Sequence, residues 1–405
     1  MRYRVTRREV LSGLGAGVVG SVAGCSGPAL SGSDEPVPGD WPMFGYDAAN
    51  TGVSPDSPGP SGPAERWRLE VERGVAASPA VADGTVYVTT LQGTAYALDS
   101  ESGERRWRFR SSFPLFGTPA IVDGTVYLTD ARGFLHAVAE GTDPVGSETT
   151  DGEDGGDLEP GRFLWQVEGD GGFSSSPTVV DSTVYLGTFE GDLHAFDAVD
   201  GTRKWSDILG DNVDVAPAVV DGVVYATVPR GVVYALDSES GERLWQTGLR
   251  VALTKDPVVY EGSVFVGSTD TSRYGQETRM FALDAETGER EWDAPLDSGL
   301  SGSPAVVDGS VLAGTWGGTL HAFDATDGTA VWRTDLGSGI TAAPAVAGGT
   351  LYAGTLGSEI VAVAVTDGTE EWTASTGEGV PESPAVGGDA VYVATDANEV
   401  FAFGG

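Results

Sequence analysis

Eight tryptophans set the frame of this chain: Trp67, Trp107, Trp165, Trp205, Trp245, Trp292, Trp332 and Trp372. Twelve residues after each stands a proline: Pro79, Pro119, Pro177, Pro217, Pro257, Pro304, Pro344 and Pro384. Eight residues after each proline stands an aromatic or apolar residue: Tyr87, Tyr127, Tyr185, Tyr225, Phe265, Leu312, Tyr352 and Tyr392. The tryptophans are spaced by 40, 58, 40, 40, 47, 40 and 40 residues. Repetition at a fixed period overrides any estimate of domain number from length, because each copy is one unit of an array.

The content of one unit decides its shape. The first copy holds four strand-like runs, "SPAVA", "TVYVTT", "TAYALD" and "RRWRFR". Residues 85–90 and 125–130 are rich in β-branched and aromatic side chains, which suit a pleated surface. Asp-Gly pairs at 83–84, 123–124, 221–222 and 308–309 precede such runs and favour tight hairpins. Sixty glycines and 22 prolines oppose long helices. Four strands of about 5–6 residues with short turns fill roughly 40 residues. The expected fold is all-β, an eight-bladed β-propeller of four-stranded antiparallel blades. The last unit stops after its third strand, at "VFAFGG", and a spare fourth strand, "ERWRLEV", stands at 65–71. The N-terminal strand is therefore expected to join the last blade and close the ring.

Charge narrows the partners. Lys+Arg is 23 against 60 for Asp+Glu, a formal net charge of −37. Phosphate contacts need a basic surface, so nucleic acid is excluded as a partner. Only Lys204 and Lys255 are lysines. An acidic, lysine-poor, foldable composition resembles that of proteins from salt-loving archaea, where a Debye length of about 3 Å at molar salt screens self-repulsion. An acidic extracellular protein is the plainer alternative.

The first 25 residues read as an address. Arg2, Arg4, Arg7 and Arg8 precede a short apolar run over 10–24, too short to span a bilayer with ease. "TRREVL", with Arg7 and Arg8, looks like a Tat signal, and "VAGC" at 22–25 resembles a lipobox ending on Cys25, the sole cysteine. The expectation is export by Tat and lipid anchoring at Cys25 to the outer face of the cytoplasmic membrane. Residues 26–40, "SGPALSGSDEPVPGD", read as a flexible tether, which leaves 41–405 for the propeller.

The phrase that ends on each tryptophan is nearly constant: "ALDSESGERRW" at 97–107, "ALDSESGERLW" at 235–245, "ALDAETGEREW" at 282–292. Asp99 is placed for an Asx-type turn and Gly103 for a positive φ or a close approach. A glycine stands four residues before seven of the eight tryptophans: Gly103, Gly161, Gly201, Gly241, Gly288, Gly328 and Gly368. Trp67 has Pro63 there instead. The expected role is a blade joint, with each tryptophan packed between neighbouring blades.

These phrases resemble the tryptophan-docking repeat of the pyrroloquinoline quinone (PQQ)-type propellers. "WPMFGYDAANTG" at 41–52 also looks like that superfamily's lead-in segment. By size the chain is similar to BamB-like lipoproteins, which implies a scaffold that binds other proteins. Quinoprotein alcohol dehydrogenases share the repeat, which implies PQQ as a cofactor by family name. Those enzymes carry adjacent bridged cysteines, calcium ligands and a catalytic aspartate. This chain has no cysteine beyond Cys25, and no position onto which calcium ligands transfer.

The remaining candidates lie where the repeat varies. His136, His194 and His321 share one repeat position with Tyr96, Tyr234, Phe281, Val361 and Phe401, which marks a packing position and not a zinc site. No nucleophile elbow, metalloprotease or phosphate-loop motif occurs. Two insertions, around 140–160 and 269–278, fall in turns on opposite faces of the disc. The second carries Arg273 and Tyr274, residue types common at interfaces. Lys255 and Asp256 occupy the loop into an innermost strand, where other blades have "AS", "GT", "SS" or "GS". They are expected near the channel mouth, as a ligand or partner contact or as a local ion pair. The functional expectation is a non-catalytic protein-interaction scaffold at the cell surface. The rivals are a PQQ- or small-ligand-binding redox enzyme and a surface polysaccharide-binding protein.

Overall fold

The computed structural model of the chain describes residues 40–72, 74–140, 159–160, 162–269 and 277–405. The Tat motif, Cys25, the tether as far as residue 39, Arg273, Tyr274 and most of both insertions lie outside the described residues. The rest is an eight-bladed β-propeller. Blade 1 is a meander of Ala80–Ala82, Thr85–Thr89, Thr94–Asp99 and Arg105–Arg110, from the axis outwards. Blades 2 to 7 repeat it, with innermost strands Ala120–Val122, Thr178–Val180, Ala218–Val220, Val258–Tyr260, Ala305–Val307 and Ala345–Ala347. Blade 8 is Ala385–Gly387, Ala390–Ala394 and Glu399–Phe403, completed by Glu65–Glu70. Trp67 pairs with Ala402 and Glu70 with Glu399, so the two ends of the chain share one sheet. Neighbouring innermost strands touch all the way round, including blade 8 against blade 1, and the ring is closed.

The innermost strands have three residues, shorter than the runs in the sequence suggest. A proline with no N–H stands just before each one, and the residue before that proline is turned to other use at the channel mouth. The first hairpins behave as their sequence demands: Asp83 and Gly84 take φ of 47° and 70°, the geometry of a type I′ turn.

Packing is concentrated between blades. Tyr185 and Trp205 of blade 3 share a buried cluster with Val224 and Leu236 of blade 4. Each such side chain contributes about 1.5–3 kcal/mol by burial. The joint itself has a socket and a knob. Gly103, at φ 72°, leaves room for the ring of Trp67, and a Cβ there would sit 2.7 Å from Cδ2 of that ring. Gly201, Gly241, Gly288, Gly328 and Gly368 receive Trp165, Trp205, Trp245, Trp292 and Trp332 in the same way. The indole then donates to a carbonyl of the receiving turn: Trp67 Nε1 to Ser100 O at 2.9 Å, Trp205 to Ser238 O at 2.8 Å, Trp292 to Ala325 O at 2.8 Å. The tyrosine of the tryptophan's own blade donates to that same carbonyl, as Tyr392 does to Ser100 O at 3.2 Å. A bulge between Ala97 and Leu98, repeated in the equivalent strands of other blades, accompanies the start of the outer strand. Asp99 fixes the turn by accepting from Ser102 N at 2.8 Å and pairing with Arg106 at 2.7 Å.

Residues 40–59 form a strap around the inside of the ring. Trp41 exchanges backbone bonds with Val81 of blade 1, and Pro42 O accepts from Ile121 of blade 2. Ala48, Ala49, Thr51 and Gly52 offer carbonyls to Val219, Val259, Val306 and Val346 of blades 4 to 7. Val53–Ser54 runs parallel to Ala345–Ala347 of blade 7, and Gly59 N reaches Gly388 of blade 8. The tether expected over 26–40 thus ends one residue early. Asp40 is already buried, accepting from Asp83 N at 3.1 Å. The strap enters and leaves on the face that carries the first hairpin turns, called here the turn face. The opposite end of the channel, the mouth face, stays open.

Candidate functional site

At the mouth, one loop from every blade leads into its innermost strand. The residue before each proline forms a belt: Ser78, Thr118, Ser176, Ala216, Asp256, Ser303, Ala343 and Ser383. Four of their backbone N–H groups donate to the serine hydroxyl of the next blade. Thr118 N bonds Ser176 Oγ at 3.0 Å, Asp256 N bonds Ser303 Oγ at 2.9 Å, Ala343 N bonds Ser383 Oγ at 3.1 Å, and Ser383 N bonds Ser78 Oγ at 2.9 Å. Asp256 belongs to this belt. One of its carboxylate oxygens accepts from Ala216 N and the other from the Ser303 hydroxyl. Burial holds its carboxyl above the usual range, partly offset by those two bonds.

Inside the belt lies a funnel of about 220 Å³, with Phe44 of the strap among its lining. Its wall is hydroxyl-rich and bears four charged groups: Asp214, Lys255, Asp256 and Glu382. Lys255 does stand at the mouth, as its loop position implies, but it forms no ion pair with Asp256. Among the described residues its ammonium has no hydrogen bond or ion pair, whereas Lys204 is held by Thr183 Oγ1 at 2.7 Å and Asp197 at 3.4 Å. The Glu382 carboxyl likewise has no partner within bonding distance among the described residues. The surrounding walls push Glu382 up to about 7, against the attraction of Lys255 and with repulsion from Asp396. Asp214 accepts from Asn212 Nδ2 at 3.1 Å and is also raised by burial. Asp214 and Glu382 are not among the sequence candidates, although Glu382 stands two residues before Pro384, as Lys255 does before Pro257. The same register, extended one residue and to every blade, contains both.

Around the funnel the mouth face carries a ring of exposed apolar side chains. Leu91, Phe189, Trp316 and Leu356 follow the second strands of blades 1, 3, 6 and 7 and are 46%, 47%, 48% and 57% exposed. Each is fixed through its backbone N, which donates to Gly74, Gly172, Gly299 and Gly339 O at 2.8, 3.0, 3.0 and 2.8 Å. Phe113, in the connection from blade 1 to blade 2, adds a fifth exposed apolar side chain to this face. No repeat-wide packing role requires these residues, since the equivalent positions in other blades hold Ala131, Pro229 and Asp396.

The histidines do not meet. His136 Nε2 lies 2.9 Å from Asp130, and His321 Nε2 lies 2.9 Å from Asp297. His194 has no partner for either ring nitrogen and sits against Phe173 and Phe196, where burial lowers its pKa. Two of the three are thus hydrogen-bonded pairs as well as packing residues. Among the described residues no group of three or more His, Cys, Asp or Glu side chains is placed to share a metal ion.

The funnel does not fit PQQ. That molecule is a flat tricarboxylate, and here three carboxyls face a single ammonium. The space is also below the about 300–1,000 Å³ of ordinary small-molecule sites. Like charge and small volume both oppose it.

Comparison with known proteins gives three findings. The family model described as outer membrane protein assembly factor BamB matches residues 60–145, 156–225, 208–315 and 276–404. Among curated proteins, the 1-butanol dehydrogenase (cytochrome c) of Thauera butanivorans is 36% identical over 105 residues, 24% of this chain. The chain spans only 15% of the length of that relative. Among solved structures, BamB from Moraxella catarrhalis superposes with a TM-score of 0.68 at 15% identity, covering 84% of this chain and 97% of that one. Quinohemoprotein alcohol dehydrogenase from Comamonas testosteroni gives 0.66 at 16% identity, covering 90% and 80%. At such identities the structural likeness concerns the fold alone.

Proposed function

The chain belongs to the family described as outer membrane protein assembly factor BamB, and from that premise we propose that it is a non-catalytic scaffold that holds other proteins against its mouth face. The ring of Leu91, Phe189, Trp316 and Leu356 is the observation that supports this most. In a chain of net charge −37, large apolar side chains held out on one face are best accounted for by a partner that covers them. The assembly role in the family's description is not transferred with the fold. We also propose export through the Tat motif at Arg7 and Arg8 and lipid anchoring at Cys25. The described residues begin at Asp40, on the turn face.

A photo-crosslinking residue placed at Trp316 or Leu356, in cells at native salt, tests the scaffold. It is expected to trap a discrete protein partner, while the same probe at Val199, in a turn-face loop, traps none. Equal trapping from both faces, or from neither, argues against the proposal. Saturable PQQ binding with Ca²⁺ and dye reduction by the purified protein would replace the scaffold with the enzyme. Cys25→Ser is expected to release the protein from membranes, and retention of that variant argues against the anchor.

A further inference from the structure

The funnel holds two charges that the fold does not use. Asp256 is committed to the belt through Ala216 N and Ser303, and Asp214 accepts from Asn212. Lys255 and Glu382 have no bonding partner among the described residues, although they project into the same funnel from blades 5 and 8. A buried or half-buried charge without a partner is costly, and such groups are normally paired or hydrogen-bonded. We propose that the funnel binds a small zwitterion, with its carboxylate on Lys255 and its ammonium on Glu382.

Three further observations restrict the ligand to that class. A simple anion at Lys255 would face Glu382, Asp214 and Asp256, and a simple cation at Glu382 would face Lys255. A dipolar molecule satisfies both ends and adds no net charge to an acidic chain. The space, about 220 Å³, lies below the about 300–1,000 Å³ of ordinary small-molecule sites, which suits an amino-acid-sized solute and not a peptide. The Ser78 and Ser383 hydroxyls accept from the belt through Oγ and keep their own protons to donate to a ligand oxygen. Glu382 must be ionised to take an ammonium, and its carboxyl titrates at about 7. Lys255, Asp396, Asp214 and Asp256 are the charges that surround it. Binding therefore releases a proton, and affinity rises with pH.

The test is calorimetric titration of the purified full chain with glycine, γ-aminobutyrate and 6-aminohexanoate, whose charges are progressively further apart. Propylamine and propionate serve as half-molecules. At least one zwitterion is expected to bind saturably, at least tenfold tighter than either half. Lys255→Met and Glu382→Gln should each cost tenfold or more in affinity, with the unfolding midpoint of Lys255→Met unchanged. Affinity should rise about tenfold from pH 6 to pH 8, following the ionised fraction of a group titrating near 7. No saturable binding by any of the three, a half-molecule that binds as well as the whole, or variants that bind like the parent chain would each overturn the proposal. These titrations involve no protein partner, so their outcome is independent of the crosslinking result.

Discussion

The two faces of the disc are built by opposite rules. On the turn face and between the blades, one joint is written again and again, and its polar groups are spent. The Trp205 indole and the Tyr185 hydroxyl both end on Ser238 O, and Gly241 closes over the ring. On the mouth face, loops in the same register each differ. Their residues include a belt carboxylate, an ammonium and a carboxyl that are unpaired among the described residues, and a broken ring of exposed apolar side chains. Groups fully satisfied within the fold specify structure, whereas groups left over are available to something else.

Substitutions can break this contrast, and the largest effect is expected at ring closure. A chain starting at residue 72 lacks Glu65–Glu70 and the strap, which exposes the outer edge of blade 8 and opens the channel. It should lose cooperative unfolding altogether, as followed by circular dichroism and size exclusion. Gly288→Ala comes next. A Cβ there meets the Trp245 ring at 2.5 Å on a backbone with φ 69°, so a loss of about 2–4 kcal/mol is expected in denaturant titration.

The mouth face should respond less. Asp256→Ala strips a belt carboxylate and leaves Ala216 N and the Ser303 hydroxyl proton without an acceptor, for about 1–3 kcal/mol. Asp256→Ser restores the residue type of the neighbouring blades and should recover most of that loss in the same titration. Glu382 has a folded-state pKa of about 7, above its ordinary 4.5. Its carboxyl therefore favours the fold at low pH, and that contribution is lost as pH rises from 4.5 through 7. Glu382→Gln should leave stability unchanged at pH 4 and raise it at pH 8 by about 1 kcal/mol, solvent screening at the open mouth limiting the gain. Lys255→Met should move the unfolding midpoint by less than about 0.5 kcal/mol. An effect of joint size at Lys255 would mean that the ammonium serves the fold after all.

The contrast also explains what could be read from letters alone. Blade number, strand order, the Asp-Gly hairpins and the closing strand were legible because each is either repeated or visibly missing from a repeat. The joint was legible as a turn and a docking ring. That Gly103 receives Trp67 and not its own Trp107 was not, because the contact lies between successive copies. The strap was harder. Residues 41–52 occur once, and their alternation of glycine, aromatic and asparagine residues matches no strand or helix period. Their path is set by carbonyls meeting backbone N–H groups of six blades, and backbone pairing leaves little trace in side-chain identity. Lys255 and Asp256 were found because they break the repeat. Their roles separate only in three dimensions, where Asp256 binds Ser303 and the Lys255 ammonium meets no partner among the described residues. The mouth-ring apolar residues stood in view at one repeat position, directly after Thr90, Thr188, Thr315 and Thr355, but apolar letters do not announce their own exposure.

Closure by residues 65–70 also governs timing. Their partners, Glu399–Phe403, lie about 330 residues further along the chain, roughly 16–66 s of synthesis at about 5–20 residues per second. Until then Glu65–Glu70 has no sheet to join, and the strap has an incomplete ring to line. A chain that folds its earlier blades before Glu399–Phe403 is made carries two unpaired edges, so the open ring must be either protected or completed quickly.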